Sequence, residues 1–379
     1  MGAEHECPVV RILHLSDLHA TPSKEIDQRV LVTALLDDVR RLHEDAPFDV
    51  VAFTGDLTHA GQAEEFELAE ALLLRPLLEL LGLGPEDLLL AVGNHDVDRD
   101  RIDRIAEAGL QATLDSRDAV NELLDDPEAL RRHTERLEEA RRFLDRWHAA
   151  APPADLVGLG HFHGRTVGGR DLGIAALNSA WRATGADADG DRGNLLVGDR
   201  QAQRAVELAA GTPYNVALAH HPFEWLASFD EDDIRLSVER HFDIVLTGHT
   251  HVPDPQQVAN KRGRTVFSRA GCLYAHRDFP NGYSVLDVDD GGSVAVSVRT
   301  WWPKRGTFDA ATDVADGGRL VFPATASPPL VPTRPAAPAA VRHNAVVSGL
   351  VELAQQGSVI GDHLARLEAR DLGDLLVPP

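Results

Sequence analysis

Five short apolar runs in this chain each end on Asp, His or Asn, and that recurrence constrains the fold more than any other feature of the sequence. Val9–Leu15 runs into Ser16-Asp17-Leu18-His19, and Val50–Phe53 into Thr54-Gly55-Asp56. Leu88–Val92 runs into Gly93-Asn94-His95-Asp96. Val216–Ala219 runs into His220-His221-Pro222, and Ile244–Leu246 into Thr247-Gly248-His249-Thr250-His251. Runs of this length, rich in Val, Ile and Leu, read as buried strands. In open α/β sheets ligands bind beyond the carboxyl ends of the strands. Five segments far apart in the chain are therefore expected to meet at one edge of the fold.

Helical periodicity alternates with these runs. Between Glu25 and Glu44 the residues Ile26, Val30, Leu31, Ala34, Leu35, Val39 and Leu42 recur at helical spacing. Gln62–Leu81 reads as a second helix that Pro76 kinks or splits. Leu172–Leu177 and Thr265–Ser268 add strands, and Gly282–Val288 with Ser293–Trp301 reads as a hairpin. The alternation predicts a layered α/β fold. Asp98–Ala151 is charged and helical, with Leu130, Leu137, Ala140, Leu144 and Trp147 on one stripe. It reads as either a cap over the site or a peripheral helical layer. The resulting division is a catalytic domain over 1–305 with a helical insertion at 98–151, a Pro/Ala-rich linker at 306–341, and an amphipathic helical tail at 342–379.

Bulk properties narrow the partners. The formal net charge of −23 repels polyanions and disfavours non-specific binding to nucleic acid. The two cysteines, Cys7 and Cys272, imply no disulfide framework, and Cys272 reads as a small buried hydrophobe. No apolar run is long enough to span a membrane, and the polar residues before Pro8 do not make a signal peptide. A cytoplasmic location is the expectation.

The residue types at the strand ends suit metal chemistry. Carboxylate, imidazole and amide donors without thiolates fit Mn, Fe, Zn or similar ions. Two such ions held together can clamp the attacking and leaving oxygens of phosphoryl transfer and acidify a water. Gly55, Gly93 and Gly248 allow tight turns that aim the next side chain inward.

Asp17-Leu18-His19, Gly55-Asp56, Gly93-Asn94-His95-Asp96, His220 and Gly248-His249-Thr250-His251 together resemble the signature of the calcineurin-like metallophosphoesterase superfamily. The resemblance implies a β-sandwich flanked by helices, with a dinuclear site at one edge. It implies that Asp17, His19 and His251 hold a first divalent ion, and Asn94, His220 and His249 a second, with Asp56 bridging both and a metal-bridged hydroxide as nucleophile. It makes His95 the acid that protonates the leaving oxygen and Asp96 the residue that orients it. Gly55-Asp56-Leu57-Thr58 with Gly61, His220-His221-Pro222 and the Asn-His-Asp ending are similar to the class III cyclic-nucleotide phosphodiesterase branch. Strand alternation would put His220 and His221 on opposite faces, and the resemblance favours His220 as the ligand.

Other residues stay open at this stage. His59, Tyr274, His276 and Asn281-Gly282-Tyr283 read either as cleft residues or as ordinary turn residues. Asn178-Ser179-Ala180-Trp181 reads as a pocket-shaping segment. His161 and His163 read as a surface-loop pair, with cleft lining as the alternative. The function expected is hydrolysis of a small phosphate ester, a cyclic nucleotide among the candidates. A nuclease is the alternative, with Arg131, Arg132, Arg136, Arg141, Arg142 and Arg146 as its positive charge. A further alternative is an esterase tethered to a protein partner by its C-terminal tail.

Overall fold

The computed structural model describes residues 10–185, 190–260, 263–275 and 281–324. The tail at 342–379, the linker beyond 324, Cys7 and His276 lie outside the described residues. The strands are β1 (Val10–Leu15), β2 (Val50–Thr54), β3 (Leu88–Ala91), β4 (Ala154–Leu156), β5 (Gly160–Val167), β6 (Arg170–Ala176) and β7 (Tyr214–Leu218). They continue with β8 (Ile244–Thr247), β9 (Asp254–Asn260), β10 (Gly263–Arg269), β11 (Gly282–Val288), β12 (Val294–Trp302), β13 (Thr307–Ala310) and β14 (Arg319–Phe322).

They form two mixed sheets. One has the order β13-β12-β11-β1-β2-β3, with β14 also on β12; the other runs β4-β5-β6-β7-β8-β10-β9. Strands β1, β2 and β3 are parallel, as are β6, β7, β8 and β10. Alternate side chains meet between the sheets: Val10, Ile12, Val50 and Leu89 from one, Ile174, Val216, Ile244 and Val266 from the other. The intervening residues, such as Leu13, Leu15, Phe53 and Val245, belong to a second core shared with the helices. Strands covered on both faces appear in the sequence as continuous apolar runs, which is why these were legible. The fold is the expected layered α/β sandwich flanked by helices.

Helix α1 (Glu25–Asp45) forms where expected but is rotated from the expected face. Ile26 and Val30 are 82% and 61% exposed, whereas Gln28, Leu31, Val32, Leu35, Asp38 and Val39 are buried. Polar anchors set the rotation. The Gln28 amide donates to the carbonyls of Leu18 and His19. Asp38 accepts from the Tyr283 hydroxyl and from Arg299 Nε and Nη2 at 2.5, 2.9 and 2.6 Å.

Helix α2 (Ala63–Ala69) passes through a π turn at Glu70–Leu74 into α3 (Arg75–Leu81). The wider turn immediately before Pro76 absorbs its missing N–H and ring, so the run is neither broken nor split. Gly82 ends it in a left-handed conformation, φ 65°.

The insertion holds α4 (Arg104–Thr113), α5 (Arg117–Leu124), α6 (Pro127–His133) and α7 (Glu138–Trp147). Leu130, Leu137, Ala140, Phe143 and Trp147 are buried in the helix-side core, and Phe143 stacks on Phe66 at 5.1 Å. Glu107 is buried between Arg136 and Arg182. The insertion is thus packed onto the flank of the sandwich. Two further helices, α8 (Asp199–Ala209) and α9 (Ser228–His241), cover the second sheet.

The first sheet continues beyond 305, where the sequence patterning suggested a linker. Strands β13 and β14 both pair with β12. They are four-residue edge strands, half exposed, and carry too little alternation to be seen from sequence. Among the described residues no helix is long and apolar enough to cross a membrane.

Asp38 is 1% exposed and joins α1 to two strands. Replacing it by Ala leaves Arg299 and the Tyr283 hydroxyl without their acceptor. We expect a loss of about 3 kcal/mol of stability, read as a lower denaturant midpoint at unchanged slope.

Candidate metal centre

The site lies where the loops after β1, β2, β3, β7 and β8 converge. Asp17, His19, Asp56, His249 and His251 have φ of 58°, 50°, 57°, 69° and 61°. Outside this site Val157 is the one other non-glycine residue with positive φ among the described residues. Side chains other than glycine enter this region at a cost of about 1 kcal/mol or more. Backbone bonds between loops hold them there. Asp17 N–H donates to Gly55 O and His19 N–H to Asp56 O, each at 3.0 Å, and Gly248 N–H donates to His220 O at 2.9 Å.

Two glycines are required for different reasons. Gly55 supplies a left-handed turn, φ 93°. Gly93 has no such φ; a Cβ there would stand 2.1 Å from Asp56 Oδ1, so its role is close approach and not turning.

Asp56 and Asp17 are 2% and 0% exposed. Asp56 Oδ1 accepts from His95 N–H at 2.7 Å, while Oδ2 faces His220 Nε2 at 3.3 Å and His19 Nδ1 at 4.0 Å. Asp17 Oδ1 lies 3.2 Å from His251 Nε2 and 3.8 Å from His19 Nε2. Asn94 Oδ1 lies 3.0, 3.1 and 3.2 Å from His220 Nε2, His249 Nδ1 and His221 Nε2. Every expected ligand is therefore in one cluster.

The electrostatics follow from burial and from these carboxylates. Burial pushes His19 down to about 4 and His249 down to about 3. Burial opposes protonation of His220 too, but Asp56 and Asp17 overcome it and raise the ring to about 9. Asp17 falls to about 2: burial works against ionisation, and the neighbouring His251 and His220 outweigh it.

The donors fit divalent cations. Among the described residues, no Lys or Arg ion-pairs with Asp17 or Asp56; only imidazoles do. His19 Nδ1 is buried with no hydrogen-bond partner. Two buried carboxylates, an amide oxygen and imidazoles form a borderline-hard set suited to first-row metals.

Residues 10–253 match the family of calcineurin-like phosphoesterases. The chain belongs to that family. A metallophosphoesterase-like protein of Bacillus subtilis, YydB, is 25% identical over 304 residues, 77% of this chain and 60% of its own length. The chain thus spans less than two thirds of that relative. Solved structures to which the chain is similar include a dimetal phosphatase from Danio rerio, 10% identical, with a TM-score of 0.49 over 84% of this chain and all of that one. Another is a Haemophilus influenzae NAD nucleotidase, 12% identical, TM-score 0.39, covering 79% of this chain and 53% of that one. At such scores these likenesses bear on neither substrate nor mechanism. Membership of that family implies a divalent-metal site.

His220 and His221 are not on opposite faces. Both follow Leu218, the last residue of β7, so strand alternation no longer applies and both Nε2 atoms reach Asn94. Their ring nitrogens are bound differently. His220 Nδ1–H donates to Thr54 O at 2.7 Å, and its Nε2 faces Asp56. His221 Nδ1 lies 2.9 Å from the Ser179 hydroxyl, which already accepts from His221 N–H. A hydroxyl proton donated to Nδ1 leaves Nε2–H to bond Asn94.

Asp96 does not orient His95. Its Oδ2 accepts from the N–H groups of Asp56 and Gly93, and its Oδ1 from the Thr58 N–H and hydroxyl, all at 2.9 Å. Both oxygens are turned back into the backbone of the loops. Burial and nearby Asp56 push this carboxyl up to about 6. The His95 ring is held instead by its Nδ1–H, which donates to His59 O at 2.7 Å.

His59 and Tyr274 line the open cleft with His19, His95 and His251. Cys272 is buried, and its thiol donates to Asp17 O. Ser179 contacts His221, whereas Trp181 is a core residue. The Asn281 carbonyl accepts from Trp301 N–H, and the neighbouring Gly282 N–H donates to Cys272 O. His161 and His163 are not in a surface loop: they sit on β5, away from the cleft, against His148. The sequence reading missed Thr58, Arg99 and Trp225. Arg99 Nη2 lies 3.4 Å from His95 Nδ1, and the Trp225 ring is 4.1 Å from that of His249. Thr58, within Gly55-Asp56-Leu57-Thr58, was the one with a local signal.

Asp96→Ala separates the two roles for this residue. If it braces the loops, bound divalent metal should fall together with activity, measured by metal analysis after desalting. Lost activity with full metal content would return Asp96 to a role on His95 alone.

Proposed function

We propose that this protein cleaves a small phosphate ester, as a phosphodiesterase or phosphomonoesterase, using two divalent ions. Cyclic nucleotides are the substrate class its motifs resemble. The observation that carries the reading is Asp56: Oδ2 stands between His19 of one ligand group and His220 of the other. On this reading Asp17, His19 and His251 hold one ion, and Asn94, His220 and His249 the other, with Asp56 shared. Mn²⁺ and Fe suit the mixed oxygen and imidazole set, with Zn²⁺ a third choice. When bound, the ions supply Lewis acidity at the phosphoryl oxygens and an acidified water.

The chain's own residues do the rest. His95 is fixed by its Nδ1–H bond to His59 O, so the proton handed to the leaving oxygen is the one Nε2 carries in the imidazolium form. Asp96 keeps the loops of Asp56 and Asn94 in register through their backbone N–H groups. His59 and Tyr274 border the open cleft and contact the ester's organic part.

The ion pairing of the insertion weighs against a nuclease. Arg132, Arg136, Arg142 and Arg146 pair with Glu128, Glu107, Glu138 and Glu70, and Arg141 donates to Thr134. Little positive charge is left for a phosphate backbone.

Asp56→Ala should reduce Mn²⁺-dependent hydrolysis of bis-p-nitrophenyl phosphate to background; undiminished turnover would sink the proposal. His95→Gln should lower kcat by roughly 10²- to 10⁴-fold while metal content is retained. A panel of cyclic nucleotides, phosphomonoesters and short DNA on the Mn-loaded protein then sorts the substrate classes.

A further inference from the structure

A second group of imidazoles lies outside the cleft. His148 follows the last residue of α7, and His161 and His163 are two apart on β5, so they share one face. Their pairing partners on β6, Ala176 and Ile174, belong to the core between the sheets, so this face points into the sandwich at its edge. The three ring centroids are 5.0, 5.4 and 5.5 Å apart. One nitrogen from each ring can be chosen so that all lie within 4.8 Å of one another.

Their hydrogen bonding is incomplete. His148 and His163 are 5% and 6% exposed. Neither nitrogen of His148, nor Nε2 of His163, has a hydrogen-bond partner among the described residues. Buried polar atoms are nearly always satisfied, and exceptions point to a ligand such as an ion or water. His161 is the exception within the group: its Nε2–H donates to Leu90 O at 3.0 Å, which leaves Nδ1 with a lone pair. A carbonyl behind one nitrogen is the usual support for an imidazole that ligates a metal through the other.

We propose that His148, His161 and His163 form a separate metal site that takes one zinc-class divalent ion. Three neutral nitrogen donors with no carboxylate in the set suit Zn²⁺, Co²⁺ or Ni²⁺ and not Mg²⁺ or Ca²⁺. Burial, then mutual repulsion, lowers His161 to about 4 and His163 to about 2, and burial lowers His148, so lone pairs are available at neutral pH. The site shares no ligand with the cluster around Asp56. An ion there ties the end of α7 to β5 and, through Leu90, to β3, the strand that leads to Asn94. Its role is to clamp the insertion to the sandwich.

The test compares the full chain with His163→Gln and His148→Gln. Metal-free protein is loaded with Zn²⁺ at neutral pH, desalted and analysed for zinc, and its unfolding temperature is followed with and without the ion. Each variant should carry one zinc fewer than the parent and show a smaller zinc-dependent rise in unfolding temperature. Mn²⁺-dependent ester hydrolysis should remain, since neither residue touches the cleft. Equal zinc content in parent and variants would overturn the site. Should both variants fail to fold, zinc-edge anomalous scattering from zinc-soaked parent crystals decides. A peak bonded to all three rings supports the proposal, and no peak among them rejects it.

Discussion

Two carboxylates of like charge, Asp17 and Asp56, are enclosed at the end of the sandwich, and much of the surrounding structure follows from keeping them there. Buried carboxylates are costly unless paired. Here the compensation comes from imidazoles and from backbone donors, with no lysine or arginine salt bridge among the described residues. Asp56 and Asp17 raise the pKa of His220 against the cost of burial. A cation bound in the same place would compete with that proton, so metal uptake there would be coupled to proton release. An overall charge of −23 makes a concentrated positive centre more necessary for an anionic substrate.

The loops come from both sheets: β1, β2 and β3 belong to one, β7 and β8 to the other. Neither sheet alone holds a complete group of the proposed ligands. Asp17 and His19 meet His251 across the sandwich, and Asn94 meets His220 and His249. The packing of Val10, Ile12 and Val50 against Val216, Ile244 and Val266 therefore fixes distances within the site as well as stability.

Much of this was legible in sequence because buried parallel strands leave continuous apolar runs, and five of them end in residues of the candidate centre. The helix at Glu25–Asp45 was legible in extent but not in rotation, since its face is chosen by the polar contacts of Gln28 and Asp38. Polar partners reached through space were hidden. Asp96 looked like a partner for its neighbour His95, yet its oxygens serve backbone groups up to 40 residues away. The meeting of His148 with His161 and His163 depends on how α7 lies against β5, and no local pattern encodes it. Edge strands β13 and β14 are too short and too exposed for their periodicity to be seen.

The left-handed backbone at Asp17, His19, Asp56, His249 and His251 has an evolutionary consequence. At those positions glycine would relieve the conformation, and at the two Asp positions it would also remove a buried charge. The fold would gain firmness at the moment the chemistry vanished. Selection for robustness alone would thus erode this centre, so at these five positions stability and the chemistry of the centre pull in opposite directions.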